Sequence, residues 1–66
     1  MEKLLTVEQV ADWLQVRPRT VYQWVHEGYI PVVKIGSLVR FSARSVAEWI
    51  KTREIPGRVG RRLQIG

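Results

Sequence analysis

Residues 17–28 read RPRTVYQWVHEG, and the stretch carries both a start and a stop signal for a helix. Pro18 suits the first helical position, where its missing N–H is no loss, and Gly28 suits the position just past the end, where φ turns positive. Between them Val21, Trp24 and Val25 form an apolar side, leaving Arg17, Arg19, Thr20, Tyr22, Gln23 and His26 on the others. Arg17 stands at the N-cap, where Ser, Thr, Asp or Asn is preferred. Two arginines at the positive end of a helix dipole cost an isolated helix roughly a few tenths of a kcal/mol each, so their placement asks for another reason.

Upstream, TVEQVADWL holds a capping box: Thr6 accepts from the early amides and Gln9, three residues on, returns the bond. A first helix then starts at Val7, with Val7, Val10, Ala11 and Leu14 on one face at i, i+3, i+4 and i+7. The linker QVRP is too short for a long loop, so the two helices must cross as a compact helix-turn-helix pair.

Downstream of Gly28 the period changes. Tyr29-Ile30-Pro31 turns the chain, and VVKI and LVRF flank Gly36-Ser37, a hairpin signal. Alternation is expected to turn Val33, Ile35, Val39 and Phe41 inward and Val32, Lys34, Leu38 and Arg40 outward, giving the hairpin two cations on one face. Ser42 caps a third helix, ARSVAEWIKTR, with Val46, Trp49 and Ile50 as its apolar stripe. Beyond about Ile55 the periodicity stops; the remaining PGRVGRRLQIG reads as a mobile basic tail, serving solubility, nonspecific phosphate binding or ordering on a partner.

Bulk properties narrow the function. Sixty-six residues without cysteine and with one histidine allow a single small domain that no disulfide or usual zinc site staples. The net charge is +5; Lys3 against Glu2, Glu8 and Asp12 leaves residues 1–16 at −2, so residues 17–66 hold +7. Basic charge concentrated on a small domain is the electrostatic footprint of a nucleic-acid binder, because each contacted phosphate releases condensed counterions. The competing meaning is a solvated basic face. No apolar run is long enough to span a bilayer, and the start lacks a signal-peptide core, so a cytoplasmic, nucleoid-associated protein is expected.

LTVEQVADWLQVRPRTVYQWVHEGYIPVVKIGSLVRFSARSVAEWI, from about Leu5 to Ile50, resembles the excisionase-type, MerR-like winged helix-turn-helix DNA-binding domain. The marks occur in order: LTVEQVA, VRPRTVYQWVHEG, IPVVKIG leading into the wing, and SVAEWI. The resemblance implies an α+β fold of helix-turn-helix, two-stranded β-hairpin wing and C-terminal helix, with the domain over residues 1–53 and the tail over residues 54–66. It further implies that the second helix enters the major groove carrying Arg17, Arg19, Thr20, Tyr22 and Gln23, while Lys34, Ser37 and Arg40 on the wing touch backbone or minor groove. Gln23 and Ser37-Leu38 stand where many relatives carry basic residues. Such members serve as recombination directionality factors or as small transcriptional regulators, with duplex DNA, a recombinase or further copies of themselves as partners.

Alternatives to each feature stay open at this stage. Trp13, Trp24 and Trp49 are expected in the core rather than stacked on single-stranded bases. His26 is expected at the surface near a helix C-terminus, because no nucleophile or orienting acid stands at a recognisable spacing. Lys34 and Arg40 also read as edge-strand charges against aggregation, a role that does not exclude the favoured DNA contact, and Val32 and Leu38 on the outward hairpin face keep a protein-interaction module in play. An enzyme is not expected: the sequence offers no catalytic residues, no metal cluster, no phosphate-cradling glycine loop, no cofactor site and no small-molecule substrate site.

Overall fold

A computed structural model describes residues 3–57. The order of elements is β1 (Leu4–Leu5), α1 (Val7–Leu14), α2 (Pro18–Glu27), β2 (Val33–Ile35), β3 (Leu38–Ser42) and α3 (Ala43–Lys51), an α+β winged helix-turn-helix. The tail arginines Arg58, Arg61 and Arg62 lie outside the described residues.

Each helix begins and ends where its local chemistry directs. Thr6 accepts from the Gln9 amide at 3.2 Å and Gln9 Oε1 accepts from the Thr6 amide at 2.9 Å, closing the expected capping box. Ser42 Oγ accepts from the Ser45 amide at the start of α3. Gly28 closes α2 at φ 69°, where the Tyr29 amide donates to the Trp24 carbonyl at 2.8 Å and the Gly28 amide to Val25 at 3.1 Å. The same paired closure ends α1 without glycine: Gln15 takes φ 59°, and the Val16 amide donates to Ala11 at 2.9 Å.

The core gathers Val7, Val10, Ala11, Val21, Ile30, Phe41 and Val46, all buried. Each helix contributes its apolar stripe, and β3 contributes Phe41 from the centre of a three-stranded antiparallel sheet ordered β1-β3-β2. The short edge strand β1 adds to the expected hairpin, pairing Leu4 with Ser42 and Leu5 with Phe41. Ile30, expected only as part of a turn, is a core residue as well.

Two expectations are corrected. Trp13 is 43% exposed and lies outside the core. At 100° per residue it sits roughly 110° around α1 from the centre of the Val7, Val10, Ala11 and Leu14 stripe, too far to turn inward. The hairpin facing is also different. Its register pairs Val33 with Arg40, Lys34 with Val39 and Ile35 with Leu38, and directly opposed residues share a face. Val32 therefore packs against the core and Ile35 is 52% exposed, the reverse of the expected facing. Lys34 and Arg40 accordingly lie on opposite faces, not one.

An aromatic cluster locks the C-terminal end of α2 to α3. Trp24, Tyr29 and Trp49 meet in tilted and edge-to-face pairs with ring centroids 5.4–5.8 Å apart. Trp49 Nε1 donates to the Tyr29 carbonyl at 2.9 Å, and the Arg53 guanidinium lies 4.6 Å from both the Tyr29 and Trp49 rings. An apolar groove of about 450 Å³ runs beside this cluster.

Candidate nucleic-acid interface

Proline stereochemistry decides how α2 starts. The ring of Pro18 pushes the residue before it out of the helical region, so Arg17 is extended at φ −79°, ψ 148° and becomes the N-cap, with no side-chain cap bond. Its carbonyl accepts from the Thr20 amide at 2.9 Å, while its side chain is exposed. The helix N-terminus thus presents guanidinium groups and no side-chain cap, chemistry suited to an anion.

Helical spacing then sorts the remaining side chains. Arg19, Tyr22, Gln23 and His26, at i, i+3, i+4 and i+7, are all exposed and share one stripe. Val21 is fully buried on the opposite side of the helix, and Thr20 is half-buried at the stripe's flank. His26 belongs to this stripe by spacing alone, a position the sequence reading treated only as surface. Gln23 Nε2 donates to Glu27 Oε2 at 3.0 Å, one turn along. That bond holds the amide in place and must break or re-form for Gln23 to meet a base.

A cleft of about 260 Å³ separates α2 from the wing, lined by Thr6, Glu8, Tyr22, Ser37, Leu38 and Arg40. The structure therefore brings together three of the expected contact residues: Tyr22 from α2, and Ser37 and Arg40 from the wing. Arg40 is half-buried, and its Nη1 donates to the Val39 carbonyl at 2.7 Å, which steadies the side chain. Lys34 is exposed on the other hairpin face, away from Arg40. Arg17, Arg19, Thr20 and Gln23 sit outside the cleft on α2. Thr6, Glu8 and Leu38 line the cleft as well, together with Val7 and Val39, and were missed as site residues, because nothing in local spacing links the first turn of α1 to a wing tip some thirty positions on.

Among the described residues no group of three or more metal-ligating side chains occurs, and no helix is long and apolar enough to cross a membrane.

The family model for the helix-turn-helix domain matches residues 4–54. Two curated proteins from two strains of Mycobacterium tuberculosis, provisionally named as DNA-binding proteins, are each 40% identical over 50 residues. The match covers 76% of this chain and 64% of each relative, so the chain spans under two thirds of their length. No solved structure matches the chain.

Proposed function

The chain belongs to the helix-turn-helix domain family, and on that premise we propose that it binds duplex DNA with sequence preference. The observation that carries this reading is the cleft shared by Tyr22, Ser37 and Arg40. With α2 in the major groove, the phosphate backbone bordering that groove passes between helix and wing. A phenol, a hydroxyl and a guanidinium facing one channel are the donors such a backbone needs. The provisional naming of the mycobacterial relatives as DNA-binding supports the same reading.

The stripe of α2 divides by its reach. Arg19 and Gln23 read base edges, Arg by the bidentate bond to guanine O6 and N7 and Gln by its pairing with adenine. Arg17, Thr20 and Tyr22 position the helix on phosphates, and Lys34 adds charge from the far side of the wing. One such domain covers on the order of 600–1,000 Å² of its surface on DNA, modest for a specific site. Further copies on adjacent sites, or a recombinase, supply the remaining contacts. The protein acts by occupying its site and performs no chemistry, as an excisionase-like directionality factor of the cytoplasm and nucleoid. The same contacts at a promoter make a transcriptional regulator, and the genomic setting of the site separates the two roles.

The test is selection of bound duplexes from a random pool at near-physiological salt, followed by sequencing. A short enriched motif supports the reading, and its repetition at fixed spacing supports cooperative assembly. Recovery without enrichment would reduce the function to charge-driven binding.

A further inference from the structure

We infer that the wing tip engages DNA through an apolar pair, Ile35 and Leu38, seated in the minor groove and favouring sequences whose groove widens easily. This inference rests on the DNA-binding reading above and deepens it. Ile35 and Leu38 are direct cross-strand partners flanking the turn Gly36-Ser37, so their side chains lie side by side on one face. Each is 52% exposed, and neither belongs to the core. A hairpin tip left to water is ordinarily polar, and beyond the modest stabilisation of a cross-strand pair, two adjacent aliphatic side chains there leave half of each apolar surface in water.

Charge is arranged to match. Lys34 projects from the opposite face of the hairpin, so among the described residues of the hairpin the cation on the Ile35–Leu38 face is Arg40, set back in the cleft and half-buried. Leu38 is itself a wall of that cleft, beside Tyr22, Ser37 and Arg40. A phosphate backbone lying in the cleft therefore leaves the tip over the groove on the backbone's other side, the minor groove. Sugar C–H groups and base edges form its walls and floor, the part of a duplex that accepts aliphatic contact. Two strands about 4.8 Å apart, with side chains, are wider than a minor groove of about 6 Å, so the groove must open. The energy of opening depends on sequence: pyrimidine–purine steps yield readily, whereas A-tracts are stiff and narrow. Preference then arises at base pairs the wing does not hydrogen-bond.

The test uses the full chain and a random 20-base-pair duplex pool, with Leu38→Thr, Ile35→Thr and Arg19→Ala beside the unmodified protein and folding checked by circular dichroism. Threonine keeps strand preference while removing the aliphatic group. Loss of affinity by several-fold for both threonine variants is expected, with the slope of log K against log salt unchanged, since no phosphate contact is lost. Enrichment of flexible steps flanking the motif should vanish while the motif itself survives; Arg19→Ala should do the opposite. Undiminished affinity and flank preference in the threonine variants, or a fall in salt slope alongside affinity, would overturn the apolar contact while leaving the DNA reading standing. Retention of no duplex by the unmodified protein would remove both.

Discussion

Replacing Glu8 by glutamine should tighten DNA binding and weaken the fold, two effects of opposite sign from one charge. Glu8 lines the cleft between α2 and the wing, the channel assigned to a phosphate backbone, and it also sits in the first turn of α1. Two like charges roughly 6 Å apart in water repel by about 0.7 kcal/mol, the scale on which a carboxylate in the cleft wall would oppose a phosphate lying there. Removing that repulsion raises affinity about threefold. The gain should be the same on any duplex, because phosphates carry no sequence, and it should fade near 1 M salt, where the screening length falls to about 3 Å. The folded state, by contrast, loses a carboxylate that favours the helix N-terminus, at about 0.3–1 kcal/mol. Fluorescence anisotropy on a labelled random-sequence duplex at two salt concentrations reads the first effect, and urea denaturation reads the second. Unchanged or weaker binding at low salt, in a variant that folds, would show that the backbone does not run through the cleft.

Three further outcomes are expected. Arg19→Ala should cost about 1–3 kcal/mol on the selected motif and little on random duplex, as measured by competition binding; equal losses on both would mark a phosphate contact instead. Phe41→Ala should cost about 3–5 kcal/mol, because Phe41 is fully buried at the centre of the sheet. A core this small supplies about as much in total, so the thermal transition should disappear at room temperature. Gln15→Gly should stabilise the fold by about 0.5–1 kcal/mol in urea, since Gln15 holds φ 59°, a conformation that costs a residue with a Cβ more than it costs glycine.

The position of α2 follows from where the aromatic residues gather. Trp24, Tyr29 and Trp49 contact one another at the C-terminal end of α2, with Arg53 over the Tyr29 and Trp49 rings, and edge-to-face pairs of this kind contribute about 0.5–1.5 kcal/mol each beyond the area they bury. Stacking of the Arg53 cation adds to them. The N-terminal half of α2 is held instead by Val21, buried in the same core as Val10 of α1 and Phe41 of β3, and by its short link to α1. Anchoring at one end and along one face leaves Arg19, Tyr22 and Gln23 projecting, with their backbone fixed. Reading base edges requires that combination of exposed side chains on a helix that does not tilt.

Helix boundaries were legible because their signals are local. Thr6 with Gln9, Pro18 with Gly28, and Ser42 each act within a turn of chain, and the structure starts or ends a helix at each signal. The end of α1 was less visible, since Gln15 adopts a left-handed conformation that glycine would have announced. β1 was hidden for a different reason: two residues hold no readable period, and Leu4 and Leu5 become a strand only because the β3 edge offers them partners. The wing facing is the instructive error. Alternation along a strand separates its residues into two sets but does not say which set faces the core. Hydrophobicity assigned Ile35 inward. The turn contained the correction, because a two-residue connection makes its flanking positions direct partners, so Ile35 and Leu38 must share a face whatever their polarity. Phe41, two steps from Val39 on β3, fixes the inner face, and parity across Gly36-Ser37 then turns Ile35 and Leu38 outward together. Turn length therefore outranks side-chain polarity in orienting a short hairpin. The aliphatic pair that this rule turns outward is the surface on which the proposed minor-groove contact rests.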